Sequence, residues 1–104
     1  MQHVYVVVRN DLPSPAHAAV QATHAGISAA RCGQIPSQGI HPSLVLVTVP
    51  DRASLLAASA RLAEAGIEHS VFVEDDLGRE ETALATRPVQ QSERKLFREL
   101  PLLV

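Results

Sequence analysis

The chain of 104 residues contains no tryptophan, one tyrosine, two phenylalanines, one methionine and one cysteine. With aromatics at 3%, its core has to be filled by Val, Leu, Ile and Ala, a filling that suits helices lying close on a sheet. The lone Cys32 excludes an internal disulfide and a cysteine-based zinc site, which fits a reducing cytoplasm; its expected place is a buried or half-buried helix position. No apolar run approaches the ~20 residues of a membrane span. The N-terminus enters a strand without the basic segment and apolar stretch of a signal peptide, so no targeting segment is expected. A formal net charge of −2 and a pI of about 6.2 exclude an overall basic field, so any polyanion site has to be a local patch. Gly-rich phosphate loops, nucleophile elbows, paired metal-ligand motifs and internal repeats are all missing.

What is present reads as one α/β domain over residues 1–104, since 46% hydrophobic and 19% charged residues are ordinary for a globular chain with a single core. Four valines and a tyrosine without alternation predict a central strand over residues 3–9, buried on both faces. Ser14 followed by Pro15 is a helix start, and Gly33 a stop after about Arg31 or Cys32, with Val20 and Ile27 as the larger core contacts. A proline-broken loop over 34–42 precedes a second buried strand, 43–49. Asp51 caps a second helix reaching about Ala65, anchored by Leu55, Leu56 and Leu62. A third strand over 67–73 and a fourth over 82–86, with a loop of about eight residues between them, leave no room for a crossover helix, so that pair is antiparallel. A short last helix begins at Ser92, its Arg94, Lys95 and Arg98 interleaved with Glu93 and Glu99 as a solvated face. The order β-α-β-α-β-β-α predicts a mixed four-stranded sheet with helices on both faces.

The chemistry concentrates where the first strand feeds the first helix. At about 100° per residue, His17, Gln21, His24 and Ser28 fall within roughly 40° of one helix face. His17 opens that helix, and a neutral imidazole is the form a general base requires. His17 and His24 lie two turns apart, about 10 Å, too far to chelate one metal, and no metal site is expected. Asp11 suits a turn, and Arg9 suits a phosphate or a carboxylate. Glu74, Asp75 and Asp76 leave the third strand at the rim that His17 occupies, where an acid can orient an imidazole or a water.

The order of elements and several residues resemble the type II peptidyl-tRNA hydrolases. Val7-Val8-Arg9-Asn10-Asp11-Leu12 stands where that family has a strand ending in Arg-x-Asp-Leu, and Ala18-Ala19-Val20-Gln21-Ala22-Thr23-His24-Ala25 where its helix reads roughly Gly-Lys-x-Ala-Ala-Gln-x-x-His-Ala. Val47-Thr48-Val49-Pro50, Glu64-Ala65-Gly66-Ile67-Glu68-His69 and Thr82-Ala83-Leu84-Ala85 continue the likeness in the same order. The resemblance implies hydrolysis of the ester between a peptide and the 3′ ribose of tRNA, with no obligatory metal or organic cofactor, in a fold often seen as a dimer. It makes the acylated 3′ end of tRNA the expected partner, the cytoplasm the expected location and a homodimer an assembly to look for.

Gln21, His24, Asp11 and Thr82 match family positions, and the family's acid after the third strand falls on Glu74, or with a one-residue slip on Asp75. The family's helix lysine is His17 here, and both site loops are shortened, the marks of a divergent, bacterial-type member. The expected mechanism has His17 as general base or water-positioner, oriented by Glu74 or Asp75. Gln21 and Thr82 hold the ester carbonyl or the terminal ribose, and Arg9, Asp11 and His24 bind substrate. Two other readings stand beside it: a non-catalytic homologue binding tRNA, nucleotide or protein, and a self-associating structural domain whose polar stripe is buried between copies.

Overall fold

Runs of β-branched side chains fit a pleated surface covered on both sides. In the computed structural model, which describes residues 2–75 and 78–103, that run is strand β1, His3–Arg9, with Val4 through Val8 all buried. Strand β2 (Ser43–Val49) pairs parallel to β1. Strand β4 (Glu80–Thr86) runs antiparallel to β1, and β3 (His69–Glu74) antiparallel to β4, giving the sheet order β2-β1-β4-β3. The mixed four-stranded α/β sheet is thus as the chain pattern predicts. Two antiparallel steps make β3 run in the direction of β1, so the carboxyl ends of β1, β2 and β3 share one rim with the start of β4.

Alternation along β1 sends Val4, Val6 and Val8 to one face and Tyr5 and Val7 to the other. The first set packs with Ala83 and Ala85 against Ala18, Ala22, Ala25 and Ala29 of helix α1 (Pro15–Arg31). The second packs with Val47 and Leu84 against Leu55 and Leu62 of helix α2 (Arg52–Glu64) and against Phe97, whose ring lies flat on Tyr5 at 3.9 Å. Helices therefore cover both faces. The caps are those expected: Ser14 Oγ accepts from the His17 N–H at 3.3 Å, and Asp51 Oδ1 from the Ser54 N–H at 2.8 Å. Gly33, with φ of +77°, follows the last turn of α1 in the left-handed conformation that suits glycine. No helix among the described residues is long and apolar enough to cross a membrane.

Several expectations need correction. Val20 and Ile27 are 52% and 50% exposed, because the alanine stripe 18, 22, 25, 29 faces the sheet and these two lie about 170–190° around the helix from its centre. Leu56 is likewise on the outer side of α2, whose anchors are Leu55 and Leu62. Cys32 is exposed at the end of α1 rather than buried. Strand β2 lies at the sheet edge and is only half buried: Pro101 and Leu103 bond its outer side at Thr48 and Leu46, while Leu44 stays exposed. The loop between β3 and β4 spans only 75–79, because β4 begins at Glu80. The last helix is a 3-10 helix, Gln91–Phe97.

That 3-10 helix carries an ion pair. Arg87 grips Glu93 with both terminal guanidinium nitrogens, Nη1 to Oε1 at 3.0 Å and Nη2 to Oε2 at 2.9 Å, and Glu93 Oε1 also accepts from the Gln90 N–H. These bonds, Arg87 first, pull the Glu93 carboxyl from its ordinary 4.5 to about 2. A carboxyl depressed by folding adds stability above its unfolded value and loses it as the folded group is protonated. Urea midpoints should therefore fall as the pH is taken from 4.5 toward 2, and fall less steeply in the Glu93→Gln protein. Equal slopes would show that the pair is not coupled to folding.

Candidate active site

The rim built by the sheet direction is braced by Arg9 at the end of β1. Its Nε and Nη2 donate to Asp11 Oδ1 and Oδ2 at 2.8 and 2.9 Å, and Nη1 donates to Glu80 Oε1 at 2.7 Å and the Glu81 carbonyl at 3.1 Å. This forked geometry fixes charge and direction together. The Arg9 bonds hold the Asp11 carboxyl below the usual carboxylate range, and Asp11 in turn, with Glu80, holds the guanidinium protonated far beyond its ordinary range. Beside them Arg52 Nε donates to Glu81 Oε1 at 2.7 Å and holds that carboxyl low. Arg9 and Asp11 are thus paired with each other, and Arg9 ties β1 to β4.

Between α1 and the end of β3 lies a short relay. Thr82 Oγ1 donates to Gln21 Oε1 at 2.8 Å, and Gln21 Nε2 donates to Glu74 Oε2 at 2.7 Å. The direction follows from chemistry: an ionised carboxylate only accepts, so the amide must present its NH₂ to Glu74 and its oxygen to the threonine hydroxyl. Thr82 is fully buried and Gln21 4% exposed, whereas Glu74 is half-buried. A β-bulge brings Thr82 inward: Phe72 pairs with Ala83 but Val73 with Glu81, leaving Thr82 between the two rungs.

His17 stands one turn before Gln21, about 6 Å along the helix axis. It is exposed, with Nδ1 2.7 Å from Ser14 Oγ. One turn beyond Gln21, the exposed His24 ring lies flat on Phe72, with centroids 4.5 Å apart and planes 6° from parallel. Asp75 is exposed and pairs with Arg79 at 3.2 Å. Of the two candidate acids, Glu74 is therefore the one that meets the glutamine. Asp76 lies outside the described residues.

Sequence reasoning missed Glu80, for which no local signal exists, and Phe72. The latter was readable in outline, since it stands two residues before Glu74 on one strand. Among the described residues no group of three or more His, Cys, Asp or Glu side chains is placed to hold a metal ion.

Comparison with curated proteins gives no match. The family model described as peptidyl-tRNA hydrolase PTH2 matches residues 2–103, which takes in every strand and helix of the fold and all of the rim just described. The chain belongs to the PTH2 peptidyl-tRNA hydrolase family.

Proposed function

We propose that this protein hydrolyses the ester joining a peptide or N-blocked amino acid to the 3′ ribose of tRNA, with water activated at the start of α1. The observation that carries the reading is the Thr82–Gln21–Glu74 relay at the carboxyl rim of the sheet. A buried amide locked at both ends holds the half-buried carboxylate in one position beside the helix that carries His17.

In the proposed reaction Glu74 orients a water, His17 takes its proton as the oxygen attacks the ester carbonyl, and the same imidazole returns the proton to the departing ribose oxygen. Gln21 and Thr82 act by positioning Glu74, and Arg9, held in direction by Asp11, acts by fixing β1 to β4 at the rim. The setting we assign is cytoplasmic, with the acylated 3′ end of tRNA as partner.

One observation favours a second reading, a non-catalytic homologue, and among the partners open to it (tRNA, nucleotide or protein) it favours a protein. The rim is rich in carboxylates (Asp11, Glu74, Glu80, Glu81), and its Arg9 is engaged by two of them. Such a rim repels phosphate. Incubating the purified protein with N-acetyl-aminoacyl-tRNA, with cleavage and salt-dependent binding followed in parallel, separates the two. The hydrolase reading expects multiple turnovers per protein molecule. Binding without cleavage selects a tRNA-binding homologue, and neither event leaves a protein-binding homologue or a structural, self-associating domain.

A further inference from the structure

The arginine that ends β1 is bonded to Asp11 and Glu80, so affinity for a nucleic-acid end at this rim has to come from something other than phosphate contacts alone. An RNA end offers bases, which stack on aromatic and imidazole faces without needing charge. One such face is present. His24 is exposed, yet its ring plane is set by Phe72 beneath it at 4.5 Å, and Phe72 is itself packed in the α1-side core with Val4, Val6 and Ala83. The imidazole is therefore a flat surface backed on one side and turned to solvent on the other.

We infer that the stacked His24–Phe72 pair is the subsite for the base of the nucleoside whose 3′ oxygen carries the ester. The inference rests on the hydrolase reading above for the identity of the ligand and deepens it. Its geometry is that of two adjacent layers between α1 and β3. Gln21 meets Glu74 in one layer, and His24 meets Phe72 in the next. The offset is about 4.5 Å along the helix and about 6.6 Å along the strand. A single nucleoside spans such an offset from base to 3′ oxygen, so a base resting on His24 delivers its ester toward Glu74 and His17. Stacking also fits a site that must accept many peptides, because recognition then falls on the nucleoside and leaves the acyl group unread.

Two measurements test this. In the first, adenosine 5′-monophosphate and ribose 5-phosphate are titrated separately into the wild-type protein while the His24 ring protons are followed by NMR; the nucleotide is expected to shift them and the sugar phosphate to leave them in place. In the second, KM and kcat on N-acetyl-aminoacyl-tRNA are compared for wild type, His24→Ala and His24→Phe. Loss of the ring should raise KM about tenfold with little change in kcat, and phenylalanine, which can still stack on Phe72, should restore it.

Unmoved His24 resonances, equal shifts by both ligands, or an unchanged KM in a folded His24→Ala protein overturns the inference. The two proposals fail separately: hydrolysis with no nucleotide effect on His24 removes the subsite and leaves the hydrolase, whereas nucleotide shifts without any hydrolysis retain the subsite and remove the hydrolase. Absence of both overturns both.

Discussion

The Glu74→Gln protein is expected to fold as the wild type does and to cleave N-acetyl-aminoacyl-tRNA about 10²- to 10⁴-fold more slowly. The substitution is nearly isosteric, and the new side-chain carbonyl can still accept the Gln21 amide hydrogen, so the relay from Thr82 is retained. What disappears is the negative charge that orients the water and stabilises the imidazolium as His17 takes the proton. The loss should therefore fall on kcat, with KM little changed, because the interaction removed is made in the transition state. Asp75→Asn is the matching control. That carboxylate is 75% exposed and pairs with Arg79, so its removal should leave turnover within about twofold of wild type. Equal losses in both proteins would mean that a general acidic field, rather than one placed carboxylate, supports the reaction.

Leu84→Ala is expected to cost about 2–5 kcal/mol of unfolding free energy, read as a shift in the urea midpoint at constant slope. Leu84 is fully buried at the middle of β4, paired with Val7 on one side and Val71 on the other, under Leu55 and Leu62 of α2. Its neighbours in the sheet are mostly β-branched or alanine, side chains with little freedom to swing into the space left behind. A domain of this size has a total stability on the order of 5–15 kcal/mol, so the substitution should remove a large share of it. A cost below about 1 kcal/mol would show that the α2 face repacks freely.

Much of this architecture was legible because the deciding signals are local. The valine run of β1, the Pro50 stop after β2, and Ser14 and Asp51 ahead of two helices each act within a few residues, and the structure places β1, β2 and both caps where they point. The short β3–β4 connection also required an antiparallel pair, as found. Val20 and Ile27 were misread because size was given precedence over helical phase, whereas the four sheet-facing residues of α1 are small alanines. The partial exposure of β2 was hidden because edge position depends on strand order, which no single strand records. At the rim, spacing left Glu74 and Asp75 equivalent. A side-chain bond from another element, Gln21 to Glu74, distinguishes them, while Asp75 pairs with Arg79. Arg9 was read as suited to a phosphate or a carboxylate, and the sequence could not choose between them because one of its two carboxylate partners, Glu80, stands 71 residues away in the chain.

The proposed hydrolysis depends on His17 and Glu74 acting upon one water. A double-mutant cycle on the cleavage step measures that directly: single-turnover rates on N-acetyl-aminoacyl-tRNA for wild type, His17→Ala, Glu74→Gln and the double variant. Groups sharing one water should give a double variant no slower than the slower single variant, each substitution alone having already cost about 10²-fold or more. Losses that multiply, or a His17→Ala protein as fast as wild type, would contradict the account.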